Sequence, residues 1–301
     1  RGPGISYFHT LTTVLQNVKL PKCYTCHVKP LVIGTVPYLN AKPLIEGLPE
    51  RPDVQLIEAT PSRLAVLLTK GEVEAAIVSA VVGLENGNLS LLDAPAVVSD
   101  GPVMSIRLMS RVPISDIRTL ALDESSRTGV MLCRVLLGRL YGLKPEIRNS
   151  PPVIEDMLAT ADAALIIGDP AMRAYVSARD GRLGELALDL DLGQVWKERT
   201  GLPFVFAAWT AHPKADHTRL MDVLEESALL GIRRLDEIAE RESARIGLPA
   251  DLCRDYLHNN ITFDFGSRAR AGLQTFAQWA VEEGLLPPEA PDRALSRGNR
   301  R

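Results

Sequence analysis

The sequence predicts an α/β protein of two lobes. Each lobe is a mostly parallel sheet flanked by helices, with two crossing hinge segments between them and a helical C-terminal region. Three observations predict this. Short, apolar, β-rich runs alternate with helical stretches from Leu31 onward. The alternation pauses in extended segments near 105–113 and 203–211 and restarts after Val112-Pro113. From Thr218 the apolar residues recur only at helical spacing.

Taken in order, LVIGTVPYL is a strand that ends at Asn40, followed by a short helical piece around Pro43 to Leu48. VQLIEA is a strand. Thr60-Pro61 starts a helix, with a hydroxyl at the N-cap and proline at the first helical position, and Gly71 ends it. EAAIVSAVVGL begins as a buried strand and becomes helical near Ser79. PAVVS and MSIRLMS are short strands separated by the turn Asp100-Gly101-Pro102. IRTLAL is a strand, and SSRTGVMLCRVLLGRLYG is a helix with Leu132, Cys133, Leu136, Leu137 and Leu140 on one face and Arg134 and Arg139 on the other. KPEIRN, VIEDMLAT, ADAALIIGD, DLGQVWKERTG and PFVFAAWTA continue as strand, helix, strand, helix and strand. Leu220, Val223, Leu224, Gly231, Leu235 and Ile238 form one face of a long amphipathic helix, with further helices near 249–258 and 268–283. The tail PPEAPDRALSRGNRR reads as loose. The expected division is an atypical extension over 1–30, a discontinuous first lobe over 31–112 and 206–301, and a second lobe over 113–205.

Composition narrows the function. The chain has 301 residues, 46% hydrophobic and 24% charged, with a formal net charge of -3. It carries no basic field for nucleic acid, and its aromatic fraction of 5% is low for a stacking surface. No run reaches the roughly 18–20 apolar residues of a membrane span. The first residues lack the apolar core of a signal peptide, so a cytoplasmic location is expected. Cys23, Cys26 and His27 match the short C-x-x-C-H haem-attachment pattern, a weak signal inside the extension. Cys133 reads as a small core residue.

Chemistry in such a fold sits beyond the carboxyl ends of the strands, where helix N-termini present free N–H groups to anions. Four such turns are legible: Tyr38-Leu39-Asn40, Thr60-Pro61-Ser62-Arg63, Ser79-Ala80 and Ser125-Ser126-Arg127-Thr128. The last combines three hydroxyls with a guanidinium, a cradle for an anion, although Arg127 also reads as a surface residue. Asn40, Ser105 and Asp169 each have a plain structural reading as turn, strand or cap residues. None of the five histidines falls on these turns, and no Walker loop, G-x-S-x-G elbow, G-x-G-x-x-G or H-E-x-x-H occurs. There is thus no sequence case for a nucleotide cofactor, a catalytic zinc or a serine hydrolase. The residues alone reach a protein that binds a small organic anion, and do not choose between enzyme and receptor.

The blocks IGTVPYLNAKPL, TPSRLAVLLTKGEVEAAIVS, SDGPVMSI, LALDESSRTGVMLCRVLL, ADAALIIGDPAMRA and WKERTGLPFVFAAW resemble, in order and spacing, the chorismate dehydratases of menaquinone biosynthesis by the futalosine route. The likeness runs from about 31 to 285. It implies the type II periplasmic-binding-protein fold put to enzymatic use. It implies a lyase that removes water from chorismate to give 3-(1-carboxyvinyloxy)benzoate, with no cofactor and no metal. It implies Asn40 and Ser105 as catalytic residues, and Tyr38, Ser79, Ala80, Gly101, Ser125, Ser126, Arg127, Thr128 and Asp169 around the substrate. The expected partner is the small-molecule substrate, with neither nucleic acid nor membrane, and a homodimer stays open. Pro37, Gly129 and AVVGLEN after Ser79 depart from the family pattern. Two alternatives remain: a small-anion solute-binding protein of the same fold, and the sister dihydroxynaphthoate-forming enzyme of the pathway. The latter calls for a histidine in the second lobe, and none lies between 28 and 211.

Overall fold

The structure is a computed structural model that describes residues 29–123 and 127–295. The Cys23-Cys26-His27 pattern, Ser125 and Ser126 lie outside the described residues.

Two sheets form, in place of one continuous doubly wound sheet. The first contains β1 (Leu31–Thr35), β2 (Val54–Glu58), β3 (Ala75–Ser79), β4 (Ser90–Leu91), β5 (Val97–Ser99) and β11 (Phe204–Ala211), in the order β2-β1-β3-β11-β4, with β5 also on β11. The second contains β6 (Ile106–Ser110), β7 (Thr119–Leu122), β8 (Glu146–Asn149), β9 (Ala163–Ile167) and β10 (Leu188–Asp191), in the order β8-β7-β9-β6-β10. The orders correspond strand for strand. In each sheet one strand runs against all the others: β11 is antiparallel to β3, β4 and β5, and β6 is antiparallel to β9 and β10. The remaining neighbours are parallel, β1 with β2 and β3, and β7 with β8 and β9. The reversed strands are the segments that carry the chain between lobes. Ile106–Ser110, expected in the first lobe, therefore pairs within the second sheet, between β9 and β10.

Helix boundaries follow local chemistry. Thr60 accepts the Arg63 N–H at the start of α1 (Pro61–Lys70), and Gly71 ends it at φ 70°. α2 (Ala80–Glu85) follows β3 directly. α3 (Arg127–Tyr141) buries Leu132, Cys133, Leu136 and Leu137 as expected, and burial pushes the Cys133 thiol up to about 12. α4 (Ile154–Thr160), α5 (Asp169–Arg179) and α6 (Leu192–Thr200) complete the second lobe. β9 sorts its side chains with period two: Ala163, Leu165 and Ile167 enter the main core, while Ala164 and Ile166 join a smaller cluster with Met157 on the other face.

Two expectations change. The long helix after Thr218 is two, α7 (His217–Arg233) and α8 (Leu235–Ile246), because Arg234 leaves helical geometry at φ -118°, ψ 22°. Arg234 at the break and Arg241 within α8 both reach the buried Glu46 carboxylate at 2.9 Å. The tail is ordered through α11 (Ala290–Leu295), where Arg293 donates to the carbonyls of Leu84 and Glu85 at the end of α2, both at 2.8 Å. α9 (Ala250–Asp255) runs into a π-helical turn, Tyr256–Asn260, and α10 (Ser267–Glu282) packs beside β11.

An aromatic group closes the seam between lobes. Trp196 of α6 meets Phe204 of β11 and Trp279 of α10 edge-on, at 5.2 and 5.1 Å between ring centroids. α7 lies against the 3₁₀ segment Leu39–Ile45 so closely that a Cβ on Gly231 would sit 1.9 Å from the Pro43 carbonyl oxygen. Gly231→Ala is therefore expected to destabilise the protein by about 1–3 kcal/mol through overpacking. Asp222→Ala, on the exposed side of the same helix, should stay within about 0.5 kcal/mol. Urea unfolding of both variants against the parent checks the difference.

Candidate active site

The reversed strands decide where the site forms. β1 and β3 deliver Val36–Asn40 and Ser79 to one end of the first sheet, and reversed β11 starts there with Ala207 opposite Ser79. In the second sheet β9 ends at Ile167 opposite Ile106, where reversed β6 begins. Between these ends lies a cavity of about 60 Å³, smaller than the roughly 300–1,000 Å³ of open small-molecule sites. Val36, Ile77, Val97, Ile106, Ile167 and Phe206 make its apolar walls, and Tyr38, Asn40, Ser79 and Gly168 supply polar groups. A wider groove of about 660 Å³ runs past Leu229, Phe263 and Phe265 on the helical side. It contains none of the strand-end turns, so the smaller cavity is the candidate site.

Asn40 and Ser105 come from opposite sheets and are joined through a third residue. Asn40 Nδ2 donates to the Tyr256 hydroxyl at 3.2 Å, and that hydroxyl donates to Ser105 Oγ at 2.9 Å. Ser105 and Tyr256 are each 1% exposed. Burial, with only partial relief from Ser105 and Asn40, holds the Tyr256 phenol well above its ordinary pKa, so it is neutral. Ser105 is positioned by a strained approach: Met104 has φ 60°, unusual for a side chain of that size. The Asp191 carboxylate holds the turn by accepting the N–H groups of Val103 at 2.9 Å and Met104 at 2.6 Å. Gly168 N–H then donates to the Ser105 carbonyl at 2.7 Å.

The other strand-end turns meet across the lobes. Thr128 N–H donates to Ser79 Oγ at 2.7 Å, Val81 N–H donates to Thr128 Oγ1 at 3.2 Å, and the two hydroxyls are themselves hydrogen-bonded. Asp169 Oδ1 accepts the Leu39 N–H at 3.1 Å, and Arg245 stands 3.8 Å from Oδ2 while donating to the Pro37 carbonyl at 2.8 Å. Burial raises the Asp169 pKa above the usual carboxylate value, against the opposing pull of Leu39 and Arg245.

The expected residues thus sort into distinct places. Tyr38, Asn40 and Ser79 line the cavity, and Ser105 joins it through Tyr256. Thr128 reaches Ser79. Arg127 turns away to form an ion pair with Glu85, with nearly half of its side chain exposed. Ala80 is buried in the first turn of α2. Gly101 packs against α6, its carbonyl oxygen 2.7 Å from where a Cβ on Gly193 would lie. Asp169 bridges to Leu39 from outside the cavity wall. Among the described residues no group of three His, Cys, Asp or Glu side chains could hold a metal ion. No described helix is long and apolar enough to cross a membrane.

A sequence model of a protein family described as menaquinone biosynthesis matches residues 31–282, the whole span that builds both sheets and the cavity. The chain belongs to this menaquinone-biosynthesis family. A chorismate dehydratase of Thermus thermophilus is 33% identical over 285 residues, covering 88% of this chain and 98% of that protein. Solved structures share the fold. A protein of Archaeoglobus fulgidus matches with a TM-score of 0.72 at 18% identity, over 86% of this chain and 100% of that one. The alkanesulfonate-binding protein SsuA of Xanthomonas axonopodis matches with a TM-score of 0.62 at 15% identity, over 90% and 99%. The lobes of this family member therefore have the periplasmic-binding-protein architecture expected from its sequence blocks.

Tyr256 and Asp191 had no signal of their own in the sequence. Tyr256 lies on an apolar helix face, where a tyrosine reads as core, and Asp191 reads as the cap of α6, which it also is, accepting the Gln194 N–H at 3.1 Å. The buried Asp169 yields a paired prediction. Asp169→Asn keeps an acceptor for the Leu39 N–H, whereas Asp169→Ala leaves that donor unpaired and is expected to cost about 1–3 kcal/mol. Because the folded protein binds the Asp169 proton more tightly than the unfolded chain does, its contribution is most favourable at low pH. It is lost as pH rises from the ordinary carboxylate range through the raised value. Relative to Asp169→Asn, the parent should thus lose stability over that window, as read by chemical denaturation at a series of pH values.

Proposed function

We propose that this protein removes water from chorismate to give 3-(1-carboxyvinyloxy)benzoate, as a lyase that uses no metal or organic cofactor. The observation that carries the reading is the joining of Asn40 and Ser105. The two residues singled out by family resemblance lie on opposite sheets and share one buried hydroxyl beside an apolar cavity. The 33% identity to a chorismate dehydratase over nearly its full length supports it.

The chemistry matches these residues. Chorismate loses the proton at C3 and the hydroxyl at C4, and the ring becomes aromatic. The C3 proton is acidified through the ring double bond by the ring carboxylate, so the developing charge is a dienolate. The protein's task is to fix the ring, supply donors to that charge and exclude water. Apolar walls from Ile77, Ile106, Ile167 and Phe206 suit the ring face. The donors of Thr128 and Val81, which Ser79 and Thr128 now hold, suit a carboxylate that replaces those hydroxyls. Among the described residues no histidine or glutamate lines the cavity. The enolpyruvyl carboxylate of the substrate is the base in this reading, oriented by Asn40 and Ser105. Arg127 acts from the rim, released from Glu85 by an incoming anion. The lobes divide near residues 100–105 and 200–204, where the chain passes between sheets, and the protein works in the cytoplasm.

Addition of chorismate should produce an aromatic product that has lost the mass of one water, followed by absorbance and mass spectrometry. Asn40→Ala and Ser105→Ala should each reduce kcat by about 10²–10³-fold, as for loss of a hydrogen bond made to developing charge. Tight calorimetric binding of chorismate with no product at any pH would replace this reading with a solute-binding protein.

A further inference from the structure

We infer that Tyr256 is a positioning residue that sets the hydrogen-bond polarity of the site, making Ser105 a donor and Asn40 an acceptor toward the substrate. The inference rests on the dehydratase reading, and deepens it by assigning a role to a residue outside every recognisable motif.

The argument begins with proton counting. A phenol has one proton to donate, and Tyr256 gives it to Ser105 Oγ at 2.9 Å. The phenol oxygen accepts an N–H from Asn40 at 3.2 Å. Ser105 Oγ is therefore engaged as an acceptor, and its own proton remains for another partner. On Asn40 one amide N–H is committed, which fixes the carboxamide plane and leaves Oδ1 as an acceptor. A chain with this direction offers O–H from one sheet and C=O from the other. Those are the complementary groups needed to stabilise negative charge growing on the ring and to orient the group that removes its proton.

The setting of Tyr256 fits this role. Its side chain is 1% exposed, so no water competes for the hydroxyl. It stands at the first position of the π-helical turn Tyr256–Asn260, where α9 would otherwise continue. Such turns are rare and occur frequently at functional sites. The turn is tied to the Ser105 loop a second time, by Asn260 Nδ2 donating to the Pro102 carbonyl at 3.0 Å. The C-terminal helical region thereby controls a hydroxyl shared by the two sheets.

Tyr256→Phe removes the shared hydroxyl and keeps the ring. It is expected to lower kcat by about 10–100-fold, with KM within about twofold. The ring still fills its place, so the variant should fold, with a lowered unfolding midpoint because Asn40 and Ser105 lose a buried partner. The deciding measurement is a double-mutant cycle. If Tyr256 acts through Ser105, the Ser105→Ala, Tyr256→Phe double variant should be about as slow as Ser105→Ala alone. Full multiplicative loss in the double variant, or an unchanged kcat in Tyr256→Phe, overturns the role. Should Tyr256→Phe not fold, fluorotyrosine at 256 replaces it. A kcat that shifts with phenol acidity supports the role, and one that does not overturns it. The parent protein is assayed alongside. Absence of product from the parent defeats the dehydratase reading itself, whereas an active parent with an equally active Tyr256→Phe defeats the role of Tyr256 alone.

Discussion

In each sheet a single strand runs against its neighbours, and the site depends on that reversal. Parallel strands bring their carboxyl ends to one side. A reversed strand brings its amino end to the same side. β11 and β6 are the reversed strands, and they are also the segments through which the chain passes between lobes. Their starting residues, Phe204–Ala207 and Ile106 with Ser105 before it, therefore lie among the ends of β1, β3 and β9. Two sheets built in the same order thus present these ends to the same cavity.

The contacts across that edge are few and individually modest. The Arg127–Glu85 pair is partly exposed, and burial of Glu85 raises its pKa despite the guanidinium, so the pair contributes little. The buried contacts matter more, since each satisfies an N–H that would otherwise be stranded: Leu39 on Asp169, Thr128 on Ser79, Val81 on Thr128. The hydrogen-bonding groups at this edge are thus paired with one another.

Much of the architecture was legible in the chain because its signals are local. Thr60-Pro61, Gly71 and Gly201 mark helix ends by chemistry that needs no tertiary partner. The continuous apolar run Ala163–Ile167 is plain because that strand is buried on both faces. What escaped is set by contacts distant in sequence. The break at Arg234 depends on Glu46, and the ordered tail on carbonyls at Leu84 and Glu85. Within the site, Tyr38, Asn40 and Ser79 were readable as strand-end turns. Tyr256 was not, since it is separated from Asn40 by 216 residues and sits on a helix face of core character. Arg127 illustrates the opposite case: its position beside the hydroxyl turn invites an anion, while Glu85, supplied by another helix, takes its charge.

The aromatic seam has an optical consequence. The chain contains three tryptophans. Trp196 and Trp279 stand edge-on in the group that ties α6 to β11 and α10, and Trp209 is buried within β11 itself. None of them lines the cavity. Two of the three therefore stand where α6 meets β11 and α10, and their emission would report a change in that packing without direct contact with whatever occupies the cavity.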